Sequence, residues 1–180
     1  MGTVTRKPRL ATVWLGGCSG CHMSFLDLDE RLLEIGQRVE LCASPLTDYK
    51  DFIEADITLV EGAVANTDHL EHIRVVRERT KILVSFGDCA VTGNVTAMRN
   101  AYLVEDVLDR AYRENTSLVV GTPPGDSVVP ALLDRVRPVH EVVKVDYYLQ
   151  GCPPSSDDIY RLLTDLLAGR EPVLDERRFG

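Results

Sequence analysis

The chain has 180 residues, of which 44% are hydrophobic and 27% are charged, a composition typical of a globular protein rather than a disordered or fibrous one. This length predicts one domain spanning residues 1–180, because it lies slightly above the commonest domain size. The formal net charge of −8 and the shortness of the basic clusters argue against a nucleic-acid partner.

Short apolar segments alternate along the chain with segments of helical period, which predicts an α/β fold built on an open parallel sheet. In chain order we predict a strand at 10–15, a helix at 25–35, strands at 38–42 and 57–60, a helix at 68–79, a strand at 81–86, helices at 101–114 and 130–137, a strand at 142–149 and a helix at 157–168. A sixth strand at 117–120 is left open. Gly36 and Gly169 are expected to end the first and last helices.

The chemistry expected of the cysteines depends on the cellular compartment of the protein. The first apolar segment is half the length of a secretory core, and no cleavage site follows it. No apolar stretch approaches the roughly 20 residues that cross a bilayer, so we expect no direct membrane insertion and a cytoplasmic location. In that reducing compartment, five cysteines argue against disulfides and favour metal ligation or redox chemistry.

Cysteine follows three of the predicted strands, each time beside glycine. Cys18 and Cys21 lie in Gly-Gly-Cys-Ser-Gly-Cys-His, Cys89 lies in Gly-Asp-Cys-Ala, and Cys152 lies in Gly-Cys-Pro-Pro. Because the carboxyl ends of parallel strands meet at one edge of an open sheet, we expect the four thiolates to converge there. Glycine would let the backbone approach a bulky inorganic core and direct N–H groups at its sulfurs.

The spacing of these cysteines favours an iron–sulfur cluster over two alternatives. A zinc site usually brings two close pairs of ligands, whereas this chain has one pair and two distant single cysteines. A redox-active dithiol needs no third and fourth cysteine at equivalent strand ends. Zinc and the dithiol therefore remain as the less favoured interpretations.

Together, the three cysteine motifs resemble the signatures of nickel–iron hydrogenase small subunits, over roughly residues 9 to 170. The resemblance implies a flavodoxin-like open parallel sheet with helices on both faces. It also implies one proximal [4Fe-4S] cluster, beside the nickel–iron site of a separate large subunit. The positions that match the family's ligands are Cys18, Cys21, Cys89 and Cys152.

Within that family, the chain resembles the short small subunits of soluble, NAD-reducing hydrogenases, in which His-Met-Ser follows the second cysteine. The resemblance implies that electrons from H2 oxidation in the large subunit pass through this cluster to iron–sulfur and flavin diaphorase subunits that reduce NAD. No residue of this chain is then catalytic. One alternative is a complex I-like quinone oxidoreductase subunit, which typically has two adjacent cysteines where this chain separates them by two residues. The other is a zinc-stabilised binding module without catalytic activity.

Several neighbouring residues allow a plain structural explanation beside a functional one. We interpret Cys42 as a small buried hydrophobe outside the site, and Trp14 and Phe86 as core residues. His22 either donates a hydrogen bond to a cluster sulfur or to a partner, or is a partly exposed loop histidine. Asp88 either tunes the cluster or forms a turn. FMN is not expected, because the loop that would bind its phosphate carries the first cysteine pair instead.

Overall fold

A computed structural model describes residues 6–49, 51–114 and 129–174, and its core is a parallel β-sheet. In chain order the elements are β1 (Arg9–Trp14), α1 (Gly20–Leu26), α2 (Arg31–Arg38), β2 (Glu40–Ala43), β3 (Ala55–Glu61), β4 (Val64–Asn66), α3 (Thr67–Glu78), β5 (Thr80–Phe86), α4 (Asp88–Thr92), α5 (Asn94–Ala97), α6 (Val104–Tyr112), β6 (Leu132–Arg137), β7 (Tyr147–Leu149) and α7 (Ser156–Leu167). Short 3-10 helices occupy Met98–Ala101 and Val139–Glu141.

Five strands form the main sheet in the order β2-β1-β3-β5-β7, and every pairing in it is parallel. Counted among these five strands alone, this is the 2-1-3-4-5 order of flavodoxin-like folds. Strands β4 and β6 form a separate antiparallel pair. The predicted fold class is therefore confirmed.

Helices cover both faces of the main sheet, because successive residues of a strand point to opposite faces. On β5, Val84 and Phe86 pack in one apolar cluster with residues of α1, α2 and α7. Leu83, next to Val84, packs in a second cluster that contains Ile73 and Val76 of α3. A sheet buried on both faces explains why its strands read as continuous apolar segments.

Two helices begin at side-chain caps, and one ends at a glycine as expected. Asn66 accepts a hydrogen bond from the His69 backbone N–H at the start of α3, and Ser155 accepts one from the Asp158 N–H at the start of α7. Gly169 follows α7 with a φ of +67°. Gly36 lies inside α2 rather than after it, so the expectation that it ends a helix is wrong.

The first predicted helix, at 25–35, is wrong as a single element. The chain forms α1 from Gly20 and, after a break, α2 from Arg31. Asp29 adopts a φ of +50° in the break, and Leu28 beside it is 1% exposed. The turn between the two helices therefore places Leu28 in the core. A prediction from helical period alone does not include such a turn.

The helix predicted at 130–137 is also wrong, because this segment contains β6. The Asn100 side chain donates to the Val136 carbonyl and accepts from the Val136 backbone N–H, at 2.9 and 2.7 Å. β6 also pairs with β4. These contacts with distant residues occupy backbone groups that a helix would use internally.

The strand predicted at 142–149 is correct only at its end, Tyr147–Leu149. Just before β7, Asp146 donates its backbone N–H to the Leu83 carbonyl and accepts the Leu83 N–H on its carboxylate. The Asp146 carboxylate thus accepts the Leu83 N–H hydrogen bond that a backbone carbonyl of a neighbouring strand would otherwise accept. The strand predicted at 117–120 lies outside the described residues.

The parallel arrangement places the carboxyl ends of β1, β3, β5 and β7 at one edge of the sheet, from which three cysteine-bearing turns emerge. None of the helices within the described ranges is long and apolar enough to span a membrane.

Candidate metal centre

The structure brings the four predicted ligand cysteines to the carboxyl edge of the sheet. Cys18 lies in the turn after β1, Cys21 in the first turn of α1, Cys89 in α4 directly after β5, and Cys152 shortly after β7. The turns after β5 and β7 are joined by a hydrogen bond of 2.8 Å from the Gly87 N–H to the Leu149 carbonyl.

The thiols are close enough to influence one another electrostatically. Burial raises the pKa of the Cys21 thiol, and the Glu61 carboxylate and the three other thiols raise it further. Burial likewise raises the pKa of Cys89, and the thiols of Cys152 and Cys18 add to this rise while hydrogen bonding to Thr96 opposes it. Thiolates gathered in this way would repel one another, and bound metal cations would relieve that repulsion.

Within the described part of the chain, no group of three or more His, Cys, Asp or Glu side chains is already arranged as the ligands of a single metal ion. The spacing of the cysteines along the chain remains the reason to favour an iron–sulfur cluster over zinc.

Glycine keeps space open around two of the thiols. A Cβ atom on Gly87, where φ is +83°, would lie 2.1 Å from Cys21 Sγ. A Cβ on Gly20 would lie 3.2 Å from Cys18 Sγ, and the Gly20 N–H donates a hydrogen bond of 3.4 Å to that sulfur. Both glycines therefore fit a bulky group bound at these sulfurs.

A further donor points at the sulfur of Cys152. The Asn94 side-chain amide donates to Cys152 Sγ at 3.4 Å. Hydrogen bonds to ligand sulfurs stabilise negative charge and help to set the potential of an iron–sulfur centre. The donor set of four thiols and the groups around it therefore fit such a cluster.

The loops that carry the cysteines are tied to each other. The Asp88 N–H donates to the Gly151 carbonyl at 2.9 Å, and the Asp88 carboxylate accepts the Gly151 N–H at 2.8 Å. The Ser24 hydroxyl on α1 donates to the Pro154 carbonyl at 2.5 Å. Asp88 thus links the loop of Cys89 to that of Cys152, a contact that neither sequence interpretation of Asp88 predicted.

Sequence reasoning missed Glu61, a buried carboxylate at the end of β3 that is 1% exposed. It accepts the backbone N–H groups of Cys21 and His22, at 3.4 and 2.9 Å, and contacts His22 Nδ1. His22 is itself 1% exposed, so its interpretation as a partly exposed loop residue is wrong. Its Nε2 atom is buried without a partner among the described residues. An acidic residue directly after the predicted strand at 57–60, at the same kind of strand end as the cysteines, was the signal that could have identified Glu61.

The remaining sequence interpretations have mixed outcomes. Phe86 is fully buried, as predicted, but Trp14 at the end of β1 is 49% exposed and is not a core residue. Cys42 on β2 is half-buried rather than buried, and its thiol donates to the Leu10 and Glu54 carbonyls.

Comparison with known proteins gives consistent matches. A family described as "NADH ubiquinone oxidoreductase, 20 Kd subunit" matches residues 18–166. The chain is 44% identical to the delta subunit of the NAD-reducing hydrogenase HoxS of Cupriavidus necator, over 91% of this chain and 80% of that one. It is 34% identical to an iron-sulfur subunit of the F420-non-reducing hydrogenase of Archaeoglobus profundus, over 91% of this chain but 57% of the longer relative.

A solved structure also matches. A chain in the crystal structure of an NAD+-reducing [NiFe]-hydrogenase in the H2-reduced state superposes with a TM-score of 0.93 at 46% identity. The match covers 97% of this chain and 100% of the other.

Proposed function

The chain belongs to the family of the NADH ubiquinone oxidoreductase 20 Kd subunit, and from this premise we propose that it is the electron-transfer small subunit of a nickel–iron hydrogenase. The observation that carries the proposal is the convergence of four thiols at one edge of the sheet in a chain 44% identical to an NAD-reducing hydrogenase subunit. The two relatives described above are both named as hydrogenase subunits, which favours hydrogenase over a quinone-linked role.

The proposed cofactor is one [4Fe-4S] cluster held by Cys18, Cys21, Cys89 and Cys152. When bound, such a cluster accepts and passes on single electrons. Around it, the Gly20 N–H and the Asn94 amide would donate to ligand sulfurs, as they do to the thiols. The name of the Archaeoglobus relative, which describes an iron-sulfur subunit, supports this type of cofactor.

The proposed first partner is the large subunit that carries the nickel–iron site. Exposed apolar side chains lie on the elements around the cysteines, and a surface of this kind favours protein contact. Met23 on α1 is 56% exposed, and Val95, next to Asn94, is 64% exposed. Trp14, at the end of β1, adds to the same edge. A large subunit on this surface would shield the cluster from water and shorten the path of the electrons.

The proposed second partner is an iron–sulfur and flavin diaphorase module that reduces NAD in the cytoplasm. One cluster cannot carry electrons across the full width of the chain to a distant acceptor, so another cluster-bearing subunit should dock on it. The likeness to an NAD-reducing enzyme, by sequence and by fold, supports NAD as the acceptor.

Purification of native complexes through a tag on this chain tests the proposal. The complex should couple hydrogen oxidation to NAD reduction. Removal of the diaphorase module should abolish NAD reduction and spare hydrogen-dependent reduction of small dyes. NAD reduction by a complex of only this chain and its large subunit would refute the proposed electron route. Quinone reduction without hydrogen oxidation would support the complex I-like alternative.

A further inference from the structure

We propose that Glu61 is a positioning residue for the first cysteine pair, and that its carboxylate lowers the reduction potential of the cluster bound there. This inference rests on the proposed [4Fe-4S] cluster and assigns a role to a residue outside its ligand set.

The carboxylate lies inside the loop that carries the pair. On one side, a Cβ atom on Gly17 would lie 3.5 Å from Glu61 Oε1. On the other side, the backbone N–H groups of Cys21 and His22 donate to Oε1 and Oε2. One buried side chain on β3 therefore lies beside the start of the segment that contains Cys18 and Cys21 and is hydrogen-bonded to its end.

The contacts of Glu61 differ from those of a histidine–carboxylate pair in which each buried side chain only satisfies the hydrogen-bonding groups of the other. His22 Nδ1 is one of the contacting groups, but two others are backbone amides, one of which belongs to a proposed ligand. Hydrogen bonds to a charged acceptor are stronger than those between neutral groups, so these contacts restrict the loop. Loss of the carboxylate would therefore loosen the backbone that presents Cys21 Sγ.

The same placement gives the carboxylate electrostatic influence. The side chain of Glu61 is 2% exposed, so solvent screens its charge less than that of a surface carboxylate. A negative charge beside a ligand opposes the addition of an electron to the cluster. The amide of glutamine carries no charge, so replacing the carboxylate removes a negative charge beside the ligand and the cluster should become easier to reduce.

The experiment compares wild type, Glu61→Gln and Glu71→Gln. The amide at position 61 keeps the length of the side chain and one acceptor oxygen, while Glu71 is an exposed residue of α3 that controls for the change in net charge. Anaerobically isolated proteins are assayed for iron and sulfide, and the midpoint potential is measured by a redox titration followed by electron paramagnetic resonance. The rate at which iron is released to a chelator measures how firmly the loop holds the cluster.

For Glu61→Gln we expect the midpoint potential to rise by ~59 mV, which corresponds to a tenfold change in the ratio of oxidised to reduced cluster. Iron release should be faster, and Glu71→Gln should match wild type in both measurements. An intact cluster with an unchanged midpoint in Glu61→Gln would overturn this inference alone. Wild-type protein that holds neither iron nor sulfide would overturn the proposed cluster and the inference with it.

Glu61→Asp covers the case in which Glu61→Gln cannot hold a cluster. It restores the charge on a side chain one methylene shorter. Recovery of the cluster with a midpoint no higher than that of wild type would support both roles of Glu61. Recovery with a raised midpoint would refute the role of the charge.

Discussion

Gly87→Ala tests whether the Cys21 thiol is held where a cluster needs it. Gly87 has φ and ψ of +83° and 162°, a conformation open to glycine and strained for alanine. The added Cβ would lie 2.1 Å from Cys21 Sγ, whereas ordinary contacts of a Cβ begin at 3.4 Å. The substitution therefore adds backbone strain and displaces a proposed ligand.

Both effects have a magnitude. The backbone strain should cost about 1–3 kcal/mol of the free energy of unfolding. Relief of the overlap requires the two atoms to separate by more than an ångström. Metal–ligand distances tolerate only about 0.2 Å, so a displaced Sγ should no longer bind the metal.

The assays are iron and sulfide content of anaerobically prepared protein and urea unfolding of the metal-free chain. Gly36→Ala is the matched control, because Gly36 lies in α2, is exposed and has nothing within 4 Å of an added Cβ. It should keep wild-type iron and gain about 0.5–1 kcal/mol in the free energy of unfolding. Wild-type iron and sulfide in Gly87→Ala would show that Cys21 is not held against Gly87 as a ligand.

Three further predictions concern the ligands, acid stability and activity. Cys42→Ala should keep the cluster, whereas replacing any one of the four proposed ligand cysteines should lose or degrade it; iron loss from Cys42→Ala would refute the ligand set. Burial raises the pKa of Asp56, but hydrogen bonds from Lys81, the Arg9 backbone and Arg6 outweigh it and lower that pKa to about 2. Asp56→Asn should therefore have a lower free energy of unfolding in urea than wild type at pH 6, and this difference should shrink as the pH falls from 3.8 towards 2. A difference that does not change with pH would contradict this. The isolated chain should not reduce dyes with hydrogen, because its sequence does not contain the two CxxC pairs that hold nickel and iron in the family's large subunit. Dye reduction by the pure chain would contradict the assignment of hydrogen splitting to another subunit.

The elements that the sequence predicted well are those whose own residues dictate them. β1, β3 and β5 are buried on both faces and read as continuous apolar segments, while α3 and α7 are periodic and capped. The wrong elements depend on distant side chains. Asn100 binds the backbone of Val136 in β6, and Asp146 binds that of Leu83 before β7. Local periodicity contains no information about such contacts.

The candidate site was predictable to the extent that parallel topology dictates it. Cysteine after three strands predicted convergence at one edge, and the thiols of Cys18, Cys21, Cys89 and Cys152 do interact there. Glu61 was not predicted, because its partners lie 39 and 40 residues away in sequence. The ligand role of the cysteines, the single domain and the cytoplasmic location stay predictions.

Chemical analysis of the chain, purified without oxygen, tests the central claim most directly. One close pair and two distant single cysteines favour a cluster over zinc, which usually takes two close pairs. Four cysteine ligands around one cluster predict brown protein with about four irons and four labile sulfides per chain. One zinc and no sulfide per chain would contradict the account.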